Sequence, residues 1–209
     1  MGRNYLQDVE LYNTHFDLPD PGKSALLVID MQEHFAALTD LIIDNVLLVI
    51  DACRFADVRI YFTRHGHLNP AQDGGLLVKW WGEAIECGTP QWEIVAPLMP
   101  RPNEPIIDKK RYSAFYETNL ENLLREKGIE DIILCGILTN CCCETTARDA
   151  FMRDFRVFFL SDATTAVAEE LHIATLKNLA YGFAYILDTE SLCRYLKYSA
   201  TRGIHREFI

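Results

Sequence analysis

Reduced thiols are one source of covalent chemistry in this sequence, and there are seven candidates: Cys53, Cys87, Cys135, Cys141, Cys142, Cys143 and Cys193. An odd count, irregular spacing and three adjacent cysteines do not make a disulfide framework. A disulfide wants its Cα atoms about 4.4–6.8 Å apart with converging Cβ vectors, which neighbours in the chain do not offer. A free thiol becomes a nucleophile when a base takes its proton. Two charged residues could serve that purpose. Asp30 closes the apolar run Ser24-Ala-Leu-Leu-Val-Ile-Asp30, and Lys109 closes the run that begins Ile106-Ile-Asp108. Cys142 follows a third such run, residues 131–136, at the predicted start of a helix. Asp30 could accept the thiol proton and return it to a leaving group. Lys109 would hold Asp30 ionised and, together with the helix N-terminus, favour the thiolate of Cys142. Each residue alone has a plainer reading, as a helix cap, a solvated lysine and a small buried side chain. Their placement together is what points to catalysis.

The elements that must position them follow from hydrophobic periodicity. Residues 24–30 are a continuous apolar stretch too short for a helix, as in a strand covered on both faces. Further strands are predicted at 58–63, 106–108, 131–136, 157–160 and 184–187. Helices are predicted at 41–56, 117–127, about 142–153 and 167–181, with Gly128 stopping the second. Residues 64–79 read as a loop. Strands alternating with helices predict an α/β fold, a doubly wound, mostly parallel six-stranded sheet with helices on both faces. Its ligands bind beyond the carboxyl ends of the strands, where Asp30, Lys109 and Cys142 fall. Residues 1–23 are expected to form an irregular arm and 24–209 a single domain.

Composition narrows the partners. The 209 residues are 49% hydrophobic and 24% charged, which excludes a disordered chain. A net charge of −10 argues against nucleic acid and anionic membranes. With no basic, apolar leader and no stretch long enough to cross a bilayer, a cytoplasmic enzyme is expected. Its partner would be a small-molecule substrate.

Four segments resemble the isochorismatase-like cysteine hydrolases: Leu27-Val-Ile-Asp-Met-Gln32 with Phe35, Lys109-Lys-Arg-Tyr-Ser-Ala-Phe115, the tract from Gly136 to Phe151, and Ser161-Asp-Ala163. They occur in order across roughly residues 24–190. The family pattern selects Lys109 over Lys110 and Cys142 over its two neighbours. The resemblance further implies a cis peptide between Ile137 and Leu138, with the backbone N–H groups of Leu138 and Cys142 as an oxyanion hole. It also implies a homo-oligomer, a dimer or tetramer.

Departures from the pattern refine the expectation. Nicotinamidases of this superfamily carry a metal at an Asp-x-His pair after the second strand. Here that segment is Thr63-Arg-His-Gly-His67, with His65 in place of the Asp, so no metal and no cofactor are expected, and a nicotinamidase is disfavoured. Some isochorismate hydrolases have glycine at the cysteine position, whereas Cys142 retains the means for amide hydrolysis. The expected reaction is cleavage of a small amide, ureido or carbamoyl C–N bond through a Cys142 thioester. Two alternatives remain: vinyl-ether hydrolysis of isochorismate with Asp30 as acid, or a catalytically silent binding or scaffold protein. Phe35, His65, Trp80, Trp81 and Arg111 are candidates for the pocket wall, the tryptophans equally for a subunit interface. Cys141 and Cys143 are expected to be packing residues.

Overall fold

Among the described residues, six strands run beneath the reactive residues: β1 Ser24–Ile29, β2 Arg59–His65, β3 Ile106–Lys109, β4 Asp131–Ile137, β5 Arg156–Thr165 and β6 Tyr185–Leu187. The computed structural model describes residues 4–202. Within them the strands form one sheet in the order β3-β2-β1-β4-β5-β6, and every pairing is parallel. Every residue of the central strands β1 and β4 is buried, which is why both read as unbroken apolar runs.

Among the described residues, nine α-helices surround the sheet: α1 Leu6–Val9, α2 Ala36–Thr39, α3 Ile43–Phe55, α4 Pro70–Asp73, α5 Gly75–Trp81, α6 Leu120–Glu126, α7 Glu144–Phe151, α8 Glu169–Gly182 and α9 Thr189–Arg202. Because strand side chains alternate between faces, β1 sends Leu26 and Val28 to one core and Ala25, Leu27 and Ile29 to the other. The first core is closed by α3 and α9, through residues such as Val46, Val49, Ile50, Leu192 and Leu196. The second is closed by α6, α7 and α8, through Leu120, Leu124, Ala147, Ala150, Leu176 and Leu179. The spacings of three and four residues within each set are those of one apolar helix stripe.

Several expectations need correction. The arm is not wholly irregular: α1 lies within it, and Val9 is fully buried in the second core. Residues 64–79 are not a loop, because β2 runs on to His65 and α4 and most of α5 follow; Pro70 starts α4 at a position that needs no N–H. Helix α9 carried no expectation at all. The helix predicted from about 142 begins instead as a π-helical turn, Thr139–Cys143, and becomes α-helical only at Glu144. Gly128 does stop α6, with a φ of 67°. The expected domain end, 203–209, and residues 1–3 lie outside the described residues. No helix among the described residues is long and apolar enough to cross a membrane.

Candidate active site

The strand order reverses between β1 and β4, and open parallel sheets bind ligands at the crevice this reversal leaves at their carboxyl ends. Asp30 is the first residue past β1, Lys109 the last of β3, and Cys142 lies in the π turn that follows β4. The β1–β4 contact is unusually close. A Cβ on Gly136 would stand 2.1 Å from the Ile29 carbonyl oxygen, and its φ of 118° is one that side chains rarely allow. Asp30 itself has a φ of 47°, a left-handed conformation tolerated by Asp better than by most residues. Thr63 holds it there, accepting from the Asp30 N–H at 3.1 Å and donating its hydroxyl to Oδ1 at 2.5 Å.

The three residues meet. Lys109 Nζ lies 2.6 Å from Asp30 Oδ2, with both side chains fully buried. The same ammonium donates to the Arg111 carbonyl at 3.0 Å and approaches Cys142 Sγ at 3.5 Å. The thiol in turn lies close enough to the Asp30 carboxylate to feel its charge. A buried ion pair gains little net stability after desolvation, so its retention here points to use rather than to folding.

Burial pulls the Lys109 ammonium toward neutrality, but Asp30 and Cys142 more than restore it, and its pKa is raised. The thiol behaves against expectation. Burial pushes the Cys142 pKa far above the usual thiol range, Lys109 opposes this, and the Asp30 carboxylate adds to it. Cys142 is also inside the π turn and not at the first turn of α7. The expected resting thiolate is therefore corrected to a neutral thiol, because a thiolate would set two anions against one ammonium in a dry site.

The backbone beside the thiol is specialised. The Ile137–Leu138 peptide is cis, and the N–H groups of Cys141 and Cys143 both donate to the Leu138 carbonyl at 3.1 Å. The turn is anchored from behind: Thr139 Oγ1 lies 2.8 Å from His172 Nδ1, and His172 Nε2 lies 3.0 Å from the Ser161 carbonyl on β5. Thr63, Gly136, Thr139 and His172 are contributors the sequence did not single out. Gly136 and Thr139 stood inside a quoted segment, but nothing marked their roles.

A cavity of about 220 Å³ opens onto Cys142, walled by Phe35, His65, Trp81, Tyr112, Leu138 and Cys141, among others. Larger surface hollows of about 580 and 750 Å³ contain none of the three reactive residues. Phe35, His65 and Trp81 are thus part of this wall. Trp80 is not. Consecutive helix residues point about 100° apart, and α5 turns Trp80 outward, 77% exposed, while the Trp81 indole donates to the Tyr112 hydroxyl at 2.7 Å. Arg111 is also misplaced in the expectation. Its guanidinium is spent on the carbonyls of Asp73 and Lys110, and only its own carbonyl reaches the site, through Lys109. Cys143 packs in the core, but Cys141 lines the cavity beside Tyr112, so its reading as packing is corrected.

The segment where a metal would sit does not fit one. His67 Nδ1 lies 3.3 Å from Asp73 Oδ1, while the other oxygen of that carboxylate is taken by Lys110 Nζ at 3.3 Å. Lys110 thus already occupies the single carboxylate, and Arg111 bonds only the main-chain carbonyl of the same residue. Among the described residues no group of three or more His, Cys, Asp or Glu is arranged to hold an ion.

Comparison with known proteins adds the following. A family model described as the Isochorismatase domain matches residues 24–191. A protein of Arabidopsis thaliana named Nicotinamidase 3 is 47% identical over 188 residues, 88% of this chain and 94% of its own length. The crystal structure of a cysteine hydrolase from Pseudomonas syringae pv. phaseolicola superimposes with a TM-score of 0.83 at 30% identity, covering 90% of this chain and all of that one. N-carbamoylsarcosine amidase from Thermoplasma acidophilum gives 0.72 at 26% identity, over 80% and 97% of the two chains. The 47% identity to a protein named Nicotinamidase 3 weighs against the expectation that disfavoured a nicotinamidase.

Proposed function

The chain belongs to the isochorismatase family, and from that premise we propose that it hydrolyses the C–N bond of a small neutral ring amide, such as nicotinamide, through a thioester on Cys142. The observation that carries the reading is the Lys109 ammonium, 2.6 Å from Asp30 and 3.5 Å from the Cys142 sulfur, beside a cavity with no arginine or lysine in its wall. A dianion such as isochorismate would enter that cavity without a counter-charge, whereas a neutral amide needs none. The names of two relatives, a nicotinamidase and an N-carbamoylsarcosine amidase, support C–N chemistry.

In this reading Asp30 takes the Cys142 proton as the sulfur attacks the amide carbon. Thiolate character develops only during attack, with Lys109 offsetting the charge. The carbonyl electron pair moves to oxygen, where the N–H groups of Leu138 and Cys142 receive the oxyanion. Collapse breaks the C–N bond, and Asp30 delivers its proton to the departing nitrogen, leaving a thioester and ammonia. Asp30 then deprotonates a water that attacks the thioester carbon. The second collapse releases the acid and returns the proton to sulfur.

The test is turnover of nicotinamide by the purified protein and by Cys142→Ala. The variant should retain its fold and lose kcat by several orders of magnitude. Isochorismate as the sole substrate, turned over equally by Cys142→Ala, would refute the covalent route.

A further inference from the structure

Among the described residues, His65 is the buried polar residue of the cavity wall whose ring has no hydrogen-bond partner; the ring meets the His67 ring edge-on, centroids 5.2 Å apart. It is 7% exposed, and its main chain is clamped by Gln32, which accepts from the His65 N–H at 2.8 Å and donates to the His65 carbonyl at 3.0 Å. The main chain that carries the imidazole is therefore fixed beside the cavity. Its Nδ1 is buried without a hydrogen bond. Among the described residues no protein group bonds Nε2, and because His65 lines the cavity with Nδ1 buried, Nε2 is the nitrogen left to face it. The other polar groups of the wall are committed or peripheral. The Tyr112 hydroxyl already accepts from Trp81, and His34 and Glu83 are exposed at the rim.

The proton on this ring can be placed. Burial first, and the Lys109 ammonium second, keep the imidazole neutral, its pKa lowered to about 3. A neutral ring carries one N–H. Putting it on Nδ1 would orphan a donor in a dry spot, which is costlier than leaving a lone pair bare. The proton therefore sits on Nε2, and the ring offers the cavity a donor.

We propose that His65 is the specificity-determining residue of this pocket, donating one hydrogen bond from Nε2 to an acceptor atom on the substrate ring, so that amides of pyridine-type rings are selected over their carbocyclic counterparts. This rests on the amide-hydrolase reading above. In a cavity otherwise walled by aromatic and aliphatic groups, a carbocyclic ring would leave that N–H buried and unpaired. Discrimination should come from this one contact, and should reside in binding as well as in turnover.

The experiment measures calorimetric binding of nicotinamide and benzamide, which differ by one ring nitrogen, to the full chain carrying Cys142→Ala. In that background His65→Leu and His65→Phe remove the donor, and His65→Gln restores one. The parent should favour nicotinamide roughly 10- to 100-fold. Either apolar variant should bind the two amides about equally while still binding benzamide, and His65→Gln should recover part of the preference. Equal binding by the parent, binding of neither amide, or a preference that survives the apolar variants each overturns the proposal. Wild-type turnover is measured separately. Discrimination in binding without hydrolysis defeats the amide-hydrolase reading alone, and hydrolysis without discrimination defeats the role of His65 alone.

Discussion

Acidification should destabilise this protein through His65, and the size of the effect can be worked out. In the unfolded chain the ring titrates near its ordinary value of 6.5, whereas in the folded protein burial and Lys109 hold it neutral down to about pH 3. Below pH 6.5 the unfolded state therefore binds a proton that the folded state refuses. The contribution is fully present above pH 6.5 and is lost as the pH falls toward 3. At about pH 5 the loss from this one group is about 2 kcal/mol, rising to about 5 kcal/mol near pH 3. Urea unfolding at about pH 7.5 and pH 5, on wild type and His65→Gln, isolates it. His67, whose pKa burial also lowers, acts in the same direction but is present in both proteins and drops out of the comparison. Wild type should lose about 2 kcal/mol more than His65→Gln over that interval. Equal losses would mean that the folded ring takes up a proton freely, which would refute both its dry environment and the assignment of its single proton.

Lys109→Met removes the cation and strands Asp30 as a fully buried carboxylate, so chemical denaturation should show a loss of about 3–5 kcal/mol, with part recovered when Asp30→Asn is added. Gly136→Ala places a methyl 2.1 Å from the Ile29 carbonyl and must part β1 from β4 beside Asp30; a loss above about 3 kcal/mol, or failure to express as folded protein, is expected in the same assay. Limiting iodoacetamide at neutral pH followed by peptide mapping should label Cys142 no faster than the half-buried Cys87 and Cys141, since its thiol is held neutral by burial. Rapid, selective labelling of Cys142 would refute that protonation state.

The sheet order explains why the three reactive residues could be picked out although 112 positions separate Asp30 from Cys142 in the chain. Each stands at or just past the carboxyl end of a parallel strand, and β1 and β4 are neighbours at the reversal of strand order, so one topological rule brings distant residues to one crevice. The same rule says nothing about which side chains then touch. Thr63 clasps Asp30 because β2 lies beside β1, and His172 reaches Thr139 from a helix 33 residues further along.

What the sequence determined by itself were the features that repeat locally. The unbroken apolar runs of β1 and β4 reported strands buried on both faces, and the stop at Gly128 and the alternation of strands with helices reported an α/β sheet. The spaced segments containing Asp30, Lys109 and Cys142 named the chemistry, because reactive side chains at fixed intervals are written in the chain directly. Tertiary structure alone decided the rest. Trp81 and not Trp80 faces the cavity because α5 lies over it in one rotational setting, and Arg111 is drawn off by the carbonyls of Asp73 and Lys110. Cys142 rests as a thiol and His65 as an uncharged donor because burial and the charges around them set protonation. Burial and through-space charge are sums over neighbours that the fold assembles, and no local stretch of sequence contains them.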